Sequence, residues 1–120
     1  MRRLIVDDNE KNRILLNAMV SELGKCEAVE NGTEAISVFT EAREEWKPID
    51  LILLDIFMPE MDGQQVIREI RNIEADKEIS KDRRVKIIMV TALSEKSMVI
   101  ECFRCGCDDY NVNPKFVFRI

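Results

Sequence analysis

The chain has no histidine, one tryptophan, one tyrosine and three prolines. Without histidine, and with carboxylates abundant, a metal centre here is a hard oxygen site, which disfavours zinc. No apolar run approaches the roughly 20 residues needed to cross a bilayer. The opening stretch, Met1-Arg2-Arg3-Leu4-Ile5-Val6-Asp7-Asp8, turns acidic too soon for a secretory leader. The expectation is a cytoplasmic protein whose four cysteines are reduced thiols. Positive charge is in deficit, 18 Lys and Arg against 23 Asp and Glu, a net charge of −5. That sign repels nucleic acid and anionic membrane, so neither is expected as a direct partner. Repeats, low-complexity tracts and linkers are missing too, and 120 residues suit one domain, 1–120.

What is present is an alternation of short apolar runs and helical patterns. Leu4 to Val6 reads as a buried strand. From Lys11 to Leu23 the residues Ile14, Leu15, Ala18, Met19 and Leu23 recur at the helical period, and Gly24 supplies a stop. Cys26 to Val29 is a second, weaker strand. Asn31-Gly32-Thr33-Glu34 opens a helix whose inner stripe is Ala35, Ile36, Phe39 and Ala42. Leu51 to Leu54 is continuous rather than alternating, as in a strand covered on both faces. Val66, Ile67, Ile70 and Ile73 mark the next helix, and Val85 to Val90 the next strand. Ser94 is placed to cap a helix carrying Val99, Cys102 and Phe103 inward. Tyr110 to Val112 is the last strand. Strands alternating with helices predict an α/β fold, a doubly wound five-stranded parallel sheet with right-handed connections. Chemistry in such sheets gathers at the carboxyl ends of the strands.

Three strand ends carry reactive residues: Asp7-Asp8, Asp55, and Thr91-Ala92. Adjacent strands would bring Asp7, Asp8 and Asp55 into one crevice. Three carboxylates there repel, which raises their pKa values or calls for a cation. Mg²⁺ prefers oxygen ligands and keeps several waters. A carboxylate beside Mg²⁺ is able to attack phosphorus, because the cation offsets repulsion between two anions. Thr91 is then placed to donate a hydrogen bond to a phosphoryl oxygen. The competing reading is that each Asp merely caps the helix that follows it.

Over nearly its whole length the sequence resembles the response-regulator receiver family. The resemblance is carried by Leu4-Ile5-Val6-Asp7-Asp8, by the run Asp50-Leu51-Ile52-Leu53-Leu54-Asp55-Ile56-Phe57-Met58-Pro59-Glu60-Met61-Asp62-Gly63, by Thr91-Ala92, and by Gly106-Cys107-Asp108-Asp109-Tyr110. It implies a flavodoxin-like sheet of order 2-1-3-4-5. It implies that Asp55 is the phosphoacceptor, that Asp8, Asp55 and the Phe57 carbonyl bind Mg²⁺, and that Asp7 holds a metal-bound water. Thr91 would be the switch hydroxyl and Tyr110 the switch aromatic. The implied donor is a histidine kinase or phosphotransfer protein, and the output an effector bound near the fourth helix, fifth strand and tail. Pro59 fixes the chain leaving the third strand, and Gly63 permits a tight turn before the helix.

Two departures stand out. The family's Lys before the final Pro is Asn113 here, with Lys115 just beyond Pro114. Asn donates a hydrogen bond without charge, which weakens coupling to a phosphoryl group. That favours an alternative, a pseudo-receiver that binds partners without phosphate. The last helix is expected to be truncated or absent, leaving Phe116, Val117, Phe118 and Ile120 to pack on a bare sheet face or on a second copy. A phosphatase with an aspartyl intermediate ranks last, because the second Asp such enzymes carry is replaced by Phe57; no turnover enzyme is expected. Cys102, Cys105 and Cys107 read as packing thiols rather than a metal set. Met58 and Met61 read as packing residues, Trp46 as the cover of a helix end, and Glu74 to Arg84 as a solvated extension and loop.

Overall fold

The computed structural model describes residues 1–20, 26–56, 58–91 and 96–112, with Thr91 and Val112 described in backbone only. Five strands, β1 (Arg3–Val6), β2 (Cys26–Val29), β3 (Leu51–Leu54), β4 (Lys86–Thr91) and β5 (Asp109–Val112), alternate with α1 (Glu10–Val20), α2 (Gly32–Glu44), α3 (Gly63–Asp76) and α4 (Lys96–Cys105). All neighbouring strands pair in parallel, in the order β2-β1-β3-β4-β5. This is the flavodoxin-like, doubly wound sheet expected from the sequence. Whether a fifth helix or a packed tail follows β5 lies outside the described residues, as do Leu23, Gly24, Ser94, Asn113 and Lys115.

The central strands β1 and β3 are buried at every position, as their unbroken apolar runs require. Helices α2, α3 and α4 cover one face, where Phe39, Ile67, Ile70 and Cys102 pack on Leu4, Val6, Ile52, Leu54, Ile87 and Met89. On the other face Leu16 and Val20 of α1 pack on Ile5, Leu51, Leu53 and Val90. Here the expected stripe of α1 is corrected. Ile14, Leu15 and Met19 are exposed, at 63%, 48% and 41%, and Leu16 and Val20 turn inward instead. Phe103 of α4 is likewise exposed while Cys102 is buried.

The charged stretch after α3 is not simply solvated. Glu74 has no exposed surface. Its carboxylate accepts from the Val85 N–H at 2.8 Å and from Arg71 at 2.7 Å. Arg71 also donates to the Val85 and Gly106 carbonyls and to Asp108, which in turn accepts from the Ile87 N–H. One guanidinium thereby ties α3 to the start of β4 and to the turn before β5. Trp46 also departs from expectation. It sits just past the end of α2 at φ 63°, where its N–H reaches the Arg43 carbonyl, and its ring is 91% exposed rather than folded over the helix end.

Candidate functional site at the strand tips

Strand register builds the site. Val6 of β1 lies level with Leu54 of β3, and the Asp55 N–H continues the ladder by donating to the Val6 carbonyl at 3.0 Å. The residues that follow, Asp7 and Asp55, therefore emerge side by side, with Asp8 next to them. One carboxylate oxygen from each of Asp7, Asp8 and Asp55 lies within 4.8 Å of the others. Asp7 is buried, Asp55 half-buried and Asp8 exposed, so the cluster grades from core to solvent.

Helix capping does not account for these residues. Asn9 caps α1, its side-chain oxygen accepting from the Asn12 N–H at 3.1 Å, and Asp62 caps α3 by accepting from Gln65. Asp7 accepts from the Asn9 N–H at 2.9 Å, which fixes its carboxylate in place. Burial pushes the Asp7 carboxyl above its ordinary value of 3.8; the bonds from Asn9 and Asn12 oppose that shift, neighbouring Asp8 adds to it and Arg13 offsets it. One of these neighbours, Arg13, was not read from the sequence as part of the site. Arg13 donates to the Asp7 carbonyl at 2.8 Å and lies 3.9 Å from Glu30, one helical turn into α1. Its role depends on where α1 meets the sheet, which periodicity does not fix.

The loop after β3 is tightly built. A Cβ at Gly63 would lie 2.4 Å from the Asp55 carbonyl oxygen, and the Gly63 N–H donates to Ile56 at 2.7 Å. Gly63 is thus demanded by close approach and not by a special turn, which corrects the sequence expectation. Met58 is buried and Met61 packs on the same core, as expected. Glu60 takes φ 68°, and with Asp8, Glu30, Asn31 and Pro59 it lines an open groove beside the carboxylates.

Of the other expected site residues, Thr91 ends β4 one strand away from Asp55, and its side chain is not described. Tyr110 pairs in register with Met89 and packs half-buried against the α2–α3–α4 core. Phe57 and Asn113 lie outside the described residues. Among the described residues, Asp7, Asp8 and Asp55 form the only group of three potential metal ligands, so no cysteine cluster competes with them. The buried Cys107 thiol is pushed up to about 12 by burial, as befits a packing residue.

Comparison with known proteins bears on this geometry. A family model described as "Response regulator receiver domain" matches residues 4–114. The chemotaxis protein CheY of Thermotoga maritima is 38% identical over 94% of this chain and 85% of its own length. The regulatory protein AtoC of Escherichia coli is 33% identical over 94% of this chain but only 22% of itself, so there the similarity covers one part of a larger protein. Among solved structures, the receiver domain of the histidine kinase CKI1 from Arabidopsis thaliana, complexed with Mg²⁺ and BeF3⁻, superposes with a TM-score of 0.80 at 30% identity. That match covers 92% of this chain and 79% of the other.

Proposed function

Since this chain belongs to the response regulator receiver domain family, we propose that it accepts a phosphoryl group on Asp55 in a Mg²⁺-dependent step. The observation that carries the reading is the convergence of Asp7, Asp8 and Asp55 within 4.8 Å. The residues fit the metal: all donors are hard oxygens, and the buried Asp7 has a raised pKa that a divalent cation would relieve. Asp8 and Asp55, with the Phe57 carbonyl, would hold Mg²⁺ directly, and Asp7 would hold one of its waters. When bound, Mg²⁺ supplies positive charge between the attacking carboxylate and the phosphoryl oxygens. The Asp55 oxygen attacks phosphorus, an O–P bond forms, and the P–N bond to the donor histidine breaks. That donor is a histidine kinase or a phosphotransfer protein. Thr91 and Asn113 would donate to the phosphoryl oxygens, and Tyr110 would follow Thr91 as the switch aromatic. The complex of the CKI1 receiver domain with Mg²⁺ and BeF3⁻ supports this reading by analogy.

The same proposal includes a cytoplasmic setting, no turnover of an external substrate, an effector that reads α4, β5 and the tail, and self-association through the barer sheet face and the C-terminal tail. No helix among the described residues is long and apolar enough to cross a membrane. The test is intact-mass detection of a phosphoryl adduct after acetyl phosphate treatment. The adduct should form with Mg²⁺ and vanish with EDTA or in Asp55→Asn. Its absence in the wild-type chain would instead favour the pseudo-receiver, which would respond to neither Mg²⁺ nor beryllofluoride.

A further inference from the structure

The pole of the sheet opposite the carboxylate cluster has its own character. There the entry to β1, the α2–β3 loop and the α3–β4 loop enclose a groove of about 590 Å³, large enough for two or three side chains. Its lining includes Arg43, Trp46, Pro48, Arg84 and Lys86, with Asp50 and Asp82. In a chain of net charge −5, this concentration of cations runs against the overall sign. Among the described residues, the side chains of Arg43, Arg84 and Lys86 make no hydrogen bond or ion pair, and the Arg84 Nε is buried without a partner. Beside them stands Trp46, the chain's one tryptophan, 91% exposed and held at φ 63°, a conformation bulky side chains rarely adopt.

The groove is also pre-shaped. The Asp50 N–H donates to the Arg2 carbonyl, the Lys86 N–H to the Asp50 carbonyl, and the Arg2 guanidinium to the Lys47 carbonyl. Three loops are therefore fastened before anything binds, which lowers the entropy cost of binding. Trp and Arg are the residues that most often anchor protein interfaces.

We propose that this groove is a docking site for a partner protein segment that presents carboxylates beside one apolar side chain. The apolar side chain would lie against Trp46 and Pro48, and the carboxylates would pair with Arg43, Arg84 and Lys86. The net charge of −5 argues against a nucleic acid or other extended polyanion, which the whole chain would repel. The site is independent of Asp55, which lies at the other edge of the sheet.

Trp46 makes the test direct, because its emission reports on the groove alone. The full chain is titrated with a panel of short peptides in which Leu, Phe or Met is flanked by Asp or Glu at every spacing, and with matched Asn and Gln peptides. At least one acidic peptide should shift the emission to the blue saturably. Its amide counterpart should bind roughly tenfold more weakly. The double variant Arg43→Glu/Arg84→Glu, and separately Lys86→Glu, should lose the response with circular dichroism unchanged, while Asp55→Asn keeps it. The proposal fails if no peptide shifts the emission, or if the charge-reversed variants respond as wild type does. It fails equally if an oligonucleotide binds better than every peptide. It also fails if the free chain sediments as an oligomer that Arg84→Glu dissolves, which would assign the groove to a second copy.

Discussion

Asp7 is held where a carboxylate is least comfortable: buried, next to Asp8, and fixed by the Asn9 N–H. Burial raises its pKa above 3.8, so the neutral form favours the fold. That contribution is present below 3.8 and is lost as pH rises through the higher folded value; at neutral pH the buried anion opposes folding. Asp7→Asn should therefore raise the melting temperature in EDTA at pH 7 by a few degrees, since ~1 kcal/mol moves Tm by about 4 °C in a domain of this size. The advantage should shrink as pH falls toward 3.8 and should shrink again on adding Mg²⁺, which calorimetry across a pH series would follow. The sequence revealed this residue readily, because in a parallel sheet the residue after each strand lies on one edge, whatever the loops do. It did not reveal Arg13 beside it. Nor did it reveal that Gly63 is pressed on the Asp55 carbonyl, since a contact of that kind leaves no periodic trace.

Among the elements, the apolar strands were legible and the helices only partly so. In α1, Leu15 and Met19 form one four-residue pair and Leu16 and Val20 another, so periodicity supports two stripes about equally. The sheet chose the second pair, and the first faces outward. Glu74 misled for another reason: its partners Val85 and Asp108 (the latter through Arg71) are distant in sequence. Removing it would strand the Val85 N–H and leave Arg71 with one carboxylate instead of two. Glu74→Ala should cost about 3 kcal/mol, the low end for breaking a buried pair because Asp108 remains. Glu74→Gln should cost less, because an acceptor for Val85 survives. A lower urea midpoint with an unchanged slope would verify both.

At the scale of the whole molecule, the described residues cover the two sheet faces unequally. Three helices pack on one, and among the described residues α1 alone packs on the other, with Ile14, Leu15 and Met19 outward. Apolar patches of this kind commonly mark association. Sedimentation should show weak self-association that rises with concentration and is abolished by Ile14→Glu together with Met19→Lys. Wild type that stays monomeric at high concentration would remove self-association from the proposed function. The fold class and strand order were readable because β-α alternation and family resemblance agreed. The distribution of charge between the two poles was not, because it depends on which loops share an end of the sheet.

The contact between Gly63 and the Asp55 carbonyl has a mechanical consequence. With no space for even a methyl group between them, the peptide that carries the carboxylate and the first turn of α3 must travel together. Helix α3 in turn grips α4 through Gln64 on Met98 and Arg68 on Cys105. The loop that carries Asp55, the helix α3 and the helix α4 thus form one unbroken line of contact across the molecule.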